Sequence, residues 1–390
     1  MGSETAPPLW RHRSFLLLLI ATFGGFAGYV LLLPVVPLWA VLGGAGEIAA
    51  GAMNAVFMLV TVLVQLGMPW LLSRIDHRVA LGLGTALIGA PTPLYALSGE
   101  LWLLLGVSGL RGIGFGLLTV AGSAMVAELF PPQRRGRAAG AYGLAVGLPN
   151  FVLLPVGVWF AQTIGFAPLF WIAGVAPLLA TAAVLGIAPV RARRTSGRRA
   201  FPVVLLPSWL VMTASSIAAG GLLAFLPLAV GAVSPLALMA FGGCSLLGRF
   251  AAGQWADRRG AAAALTPALC CTGAGALLLS VASWGPEALA VLGAAAFGLG
   301  FGAVQNSTLV MMFERAASGP ASTAWNIAFD AGNGLGSVGF GLVITWSGYP
   351  GAFAAAAVLV LLCTPLALGS ARRPVPDGSD APERTREGTT

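Results

Sequence analysis

Where the positive charge falls limits what this 390-residue chain can become. All 21 basic residues are Arg, and nearly all lie in alternate gaps between long apolar runs. Arg11 and Arg13 precede the first run, Arg74 and Arg78 follow the second, and Arg134, Arg135 and Arg137 follow the fourth. The sixth ends in the cluster Arg191 to Arg199, the eighth at Arg249, Arg258 and Arg259, the tenth at Arg315, and the last at Arg372 and Arg373. The gaps between hold Glu47, Glu100 and Glu287 and no Arg. Short loops rich in Lys or Arg stay cytoplasmic because insertion resists moving positive charge across the bilayer. The alternation predicts twelve membrane crossings with both termini in the cytoplasm.

A chain that is 57% hydrophobic and 9% charged, with mean hydropathy +0.88, has too little polar surface to cover a soluble globule of its size. One crossing takes about 20 apolar residues, so twelve use nearly the whole length. The net charge of +8 reads as topological signal and attraction to anionic inner-leaflet lipid, not as a nucleic-acid surface, because the Arg residues are spread over loops at one depth. Lys is absent while Ala and Gly abound, which suggests a GC-rich bacterial genome. Cys244, Cys270, Cys271 and Cys363 fall inside predicted helices, His12 and His77 in basic segments, and no spacing suits a metal. The run Ser14 to Leu33 has no small-residue cleavage site and reads as an uncleaved first helix.

The expected organisation is a tail over 1–13, a six-helix bundle over 14–189, a linker over 190–202, a second six-helix bundle over 203–369 and a disordered tail over 370–390. The first helix is expected over 14–38. The halves repeat one another. Arg111-Gly-Ile-Gly-Phe-Gly116 in helix 4 answers Phe297-Gly-Leu-Gly-Phe-Gly302 in helix 10, and each is followed by a Glu, Glu128 or Glu314, 17 residues after its first residue. Asn150 matches Asn333, Gly165 matches Gly348 and Phe170 matches Phe353, all at an offset of 183. Gly28 and Pro34 likewise answer Gly221 and Pro227. Two parallel six-helix repeats around a central site are transporter architecture.

Charge inside the membrane is costly and marks function or tight pairing. Arg111 lies near the predicted midplane, either as an anchor for substrate or coupled charge or as a structural Arg held by backbone carbonyls. Asp330 lies ~13 Å into helix 11 at 1.5 Å per residue, and its counterpart in the first half is Gly147. Burial disfavours the charged form of a carboxylate, so Asp330 is a proton-coupling candidate; the competing reading is a permanent partner for Arg111 or a hydrogen-bonded neutral acid. Gln305-Asn306-Ser307-Thr308 is the most polar intramembrane run, and Tyr29, Asn54, Gln65, Asn150, Asn326 and Asn333 are scattered. The Gly-x-Gly runs lie in membrane helices without a following Lys-Ser/Thr, so no phosphate-binding loop and no cofactor are expected.

Gly253-Gln-Trp-Ala-Asp257-Arg258-Arg-Gly260, between helices 8 and 9, resembles the loop signature of the major facilitator superfamily. The resemblance covers the chain apart from its tails. In the first half the corresponding stretch is Pro69 to Arg78, where Ser73 stands for the usual Asp and Asp76 for the Gly. Glu128 to Arg137 resembles the family's loop between helices 4 and 5. The family often carries an Arg in helix 4 at the position of Ser108, and helices 1, 4, 7 and 10 line its cavity. That favours Tyr29, Arg111 and Gln305 or Asn306 as cavity residues. Gly143-x-x-x-Gly147-Leu-Pro149 resembles its helix-5 antiporter motif with one extra residue.

The resemblance implies an all-α membrane protein of twelve helices in two pseudo-symmetric bundles, with a removable latch on the cytoplasmic side. Asp257 would face the start of helix 5 near Arg135 and Arg137, where a helix N-terminus favours a carboxylate by about 0.3–1 kcal/mol. Arg258 could pair with Glu314 and Arg74 with Glu128. The expected function is secondary transport in a bacterial inner membrane by a monomer, most simply proton-coupled efflux of a small organic compound such as a drug or natural product. The alternatives are uptake of an organic acid by proton symport, which Arg111 would suit, and a non-transporting sensor or scaffold.

Overall fold

The computed structural model describes residues 11–97, 99–130, 132–189, 203–316 and 318–371; within those spans the side chains of Arg135 and Asp257, among others, lie outside the described set. Among the described residues every regular element is a helix. The first half holds α1 (Arg13–Val30), α2 (Val35–Leu42), α3 (Glu47–Leu72), α4 (His77–Gly89), α5 (Leu101–Leu129), α6 (Pro132–Thr163) and α7 (Phe166–Leu185). The second holds α8 (Leu206–Val230), α9 (Ser234–Arg259), α10 (Ala261–Val281), α11 (Ala288–Arg315), α12 (Ser318–Leu361) and α13 (Thr364–Ala371).

Ten stretches are long and apolar enough to cross a membrane. Two of them, of 54 and 49 residues, each have length for two crossings. The first is broken by a 3₁₀ turn over Gly231–Val233, the second at Gly348, whose φ of 68° suits glycine and few other residues. Twelve crossings are therefore consistent with the structure. The first crossing departs from its expected span of 14–38. It runs over Arg13–Leu42 as α1 and α2, with a turn at Leu31–Pro34, because Pro34 lacks the N–H needed to continue the ladder.

The internal repeat holds at the level of contacts. Gly112 lies against the carbonyl of Phe57 on α3, and Gly298 lies against the carbonyl of Phe241 on α9. Gly116 meets the carbonyl of Thr61 as Gly302 meets that of Ser245. A Cβ at any of these four would collide with backbone, so the glycine runs are what allow α5 onto α3 and α11 onto α9. Asn150 and Asn333 each donate to the carbonyl four residues back, at 2.9 Å in both cases.

The halves meet chiefly along two seams, α3 against α12 and α6 against α9, with α2 also touching α8. The first is lined with small residues: Gly51 sits on the carbonyl of Ser337, Gly341 on that of Glu47, and Gly334 beside Met58. Large apolar side chains such as Trp346, Leu362 and Phe250 point outward, as they can where lipid is the solvent.

Candidate functional site

Two charged side chains lie deep among apolar ones, and the structure keeps them apart. Arg111, on α5, is 3% exposed. Its Nη2 donates to the Gly28 carbonyl at 2.7 Å and its Nε to the Ile88 carbonyl at 3.4 Å. Both carbonyls belong to last turns, Gly28 to α1 and Ile88 to α4. The break after α1 sends the Leu32 N–H to Tyr29, leaving the Gly28 carbonyl free for Arg111. Beyond α4, Pro91 supplies no N–H, and the Ile88 carbonyl also accepts from Thr92 Oγ1 at 2.7 Å. Arg111 therefore caps two helix C-termini, whose partial negative charge favours a cation. The rings of Tyr95 and Phe57 lie 5.5 and 5.7 Å from its Cζ, adding cation–π attraction. Among the described residues no carboxylate lies within ion-pair distance of it. Tyr29, Asn54, Tyr95 and Ser108 help line a cavity of about 10 Å³ beside it, room for roughly one water.

Asp330, on α12, is 5% exposed and reaches the opposite bundle. Its Oδ2 accepts from Gln65 Nε2 on α3 at 2.7 Å, and the same Nε2 lies 3.4 Å from Thr119 Oγ1 on α5. The partner of Asp330 is a neutral amide and not a cation. Pairing of Asp330 with Arg111 is thus not the arrangement found. Tyr29, also buried, stacks on Phe57 at 5.1 Å and packs against Phe115 at 4.3 Å, within electrostatic reach of both Asp330 and Arg111.

Gln305 is buried in α11 and Asn306 half-buried, its Nδ2 without a hydrogen-bond partner. Thr308 donates to the Val304 carbonyl at 2.8 Å and accepts from Trp325 Nε1 at 3.2 Å, so part of this polar run ties helices together. Gly253 faces the same helix: a Cβ there would sit 3.6 Å from Asn306 Nδ2. Gly260 ends α9 with φ 84°, a left-handed turn that explains the last glycine of the loop motif. In the first half Asp76 caps α4, accepting from the Arg78 N–H at 2.7 Å. Arg74 lies 4.2 Å over the Trp70 ring. Arg137, Glu128, Arg258 and Glu314 are exposed, and neither Arg74 and Glu128 nor Arg258 and Glu314 form an ion pair among the described residues. The expected contact of Asp257 with the region of Arg135 falls on side chains outside the described set.

In the sequence Gln65 is one of several scattered polar residues, and Thr119 has nothing to distinguish it. An amide and an acid at matching depth on different helices were the only signal. Arg249, read as part of a basic helix end, lies ten residues inside α9, ~15 Å from its terminus.

Buried polar groups between two repeated helical bundles define a multi-pass membrane transport protein. The chain belongs to the Major Facilitator Superfamily, whose profile matches residues 18–337. The Inner membrane transport protein YajR of Escherichia coli K12 is 24% identical over 163 residues, which are 42% of this chain and 36% of that protein; the match thus spans about a third of this relative. A bacterial homologue of the human lysosomal transporter Spinster, solved inward-facing and unoccupied, aligns over 95% of this chain and 98% of its own at TM-score 0.71 and 16% identity. A POT family transporter in complex with a thioalcohol-conjugated peptide aligns over 92% and 96% at TM-score 0.76 and 14% identity. These two likenesses establish the fold.

Proposed function

We propose that the chain couples proton movement to export of a small organic compound across a bacterial inner membrane, with its arginine-rich loops and both termini in the cytoplasm. The observation that carries this reading is Asp330: a buried carboxylate on the seam between bundles whose partner is a neutral amide. A carboxylate held by a cation is locked in its charged form, whereas one held by an amide can gain and lose a proton without stranding a buried ion. The Gly143-x-x-x-Gly147-Leu-Pro149 stretch, similar to an antiporter motif, favours export. Symport of an organic acid is the weaker reading because Arg111 is committed to two carbonyls of its own bundle.

The test is transport in inverted vesicles carrying an imposed pH gradient, screened against antibiotics and organic acids. Inside-acid vesicles should accumulate the substrate, and Asp330→Asn should abolish accumulation while the protein remains folded. Accumulation only under the opposite gradient would favour the symporter. A stable Asp330→Asn protein that still concentrates substrate would remove Asp330 from the mechanism.

A further inference from the structure

We infer that Gln65 is a positioning residue that converts the charge state of Asp330 into the tightness of the seam between α3 and α12. The inference rests on the reading of Asp330 as the proton site. Side-chain hydrogen bonds that join the bundles include Gln65 to Asp330 at 2.7 Å and Gln162 to Ser234 at 3.4 Å near the arginine-free end. Elsewhere along the α3–α12 seam Gly51, Gly334 and Gly341 pack closely against backbone and Met58, contacts that do not respond to a proton, and Glu47 and Tyr349 interact across its far end.

A primary amide carries donor and acceptor on one plane. In the structure Nε2 faces the carboxylate while Oε1 is buried without a partner. With Asp330 charged, the Nε2–H bond to Oδ2 is charge-assisted and correspondingly strong. Once the carboxyl is protonated it becomes a donor. The amide can then turn over, so that Oε1 takes the place of Nε2 and accepts from the carboxyl O–H, while Nε2 leaves both Asp330 and Thr119. The neutral state keeps one hydrogen bond across the seam but loses the charge assistance and the Thr119 contact, so the seam loosens as protons bind.

Few other charges compete at this place. Residues 206–230 of α8 carry no titratable side chain, and α3 has only Glu47, at its far end. On α11, Glu314 and Arg315 sit at the terminus, and α10 contributes only Cys270 and Cys271. The phenol of Tyr29, on α1, feels the charges of Asp330 and Arg111.

The test places spin labels at Ser73→Cys, at the end of α3, and Asn326→Cys, on α12, both exposed, in the full chain with its four native cysteines replaced by Ala and held in lipid nanodiscs. The distance between labels is then followed from alkaline to acid pH. The parent should lengthen on acidification, and Asp330→Asn should hold the long distance throughout. Gln65→Leu should lose the response although Asp330 is still present. Gln65→Glu, which is isosteric, should reverse its sign, because two carboxyls can touch only by sharing a proton. A parent-like response in Gln65→Leu with none in Asp330→Asn overturns the role of Gln65 and leaves the proton site standing. A response unchanged in both, or absent from the parent, overturns both. Should Gln65→Leu not fold, the sign in Gln65→Glu decides, and a parent-like sign refutes the inference.

Discussion

Arg111 shows how a buried cation can be stable without a carboxylate. Its compensation comes from the ends of α1 and α4, and those ends exist because Pro34 and Pro91 interrupt the two helices. Removing the guanidinium leaves the Gly28 carbonyl without its donor. Arg111→Leu should therefore lower stability by about 1.5–3 kcal/mol, the usual cost of losing a hydrogen bond to a charged group. The effect should add to that of Asp330→Asn within about 0.5 kcal/mol, because the two residues share no hydrogen-bond partner. Thermal unfolding of the single and double variants in detergent checks this; rescue of one substitution by the other would restore the direct pair.

At the scale of elements, the seam between α3 and α12 depends on side chains that are missing. Gly51→Ala would push its methyl into the Ser337 carbonyl across the interface. The expected result is a folded protein with impaired transport and a loss of about 1–3 kcal/mol, the typical cost of overpacking; full transport at native stability would show that the helices separate freely there. Helix positions were legible because alternating Arg clusters and apolar runs follow directly from bilayer thickness and insertion. The break in α1 was not, since a proline in a membrane helix is tolerated when neighbours satisfy the freed carbonyls. Asp330 could be picked out as a singular acid. Its partner could not, because which face of α3 meets α12 is decided by where glycines permit contact, and glycines recur on many faces.

At the scale of the molecule, the resemblance carried by the Ala256-Asp257-Arg258 stretch and by the repeated glycine runs matches the family and the two-bundle fold. The duplication is faithful at Gly112 and Gly298 and at Asn150 and Asn333, but not at Asp330, whose counterpart at the offset of 183 is Gly147. One repeat alone carries an acid at this position, and that sets a thermodynamic ceiling under the proton reading. A single proton moving down one pH unit supplies about 1.4 kcal/mol, a tenfold concentration ratio. With the membrane potential clamped to zero, the accumulation of a neutral compound should level off at or below about tenfold per pH unit of gradient. A steady ratio above that line would mean that a second proton travels by a route other than Asp330.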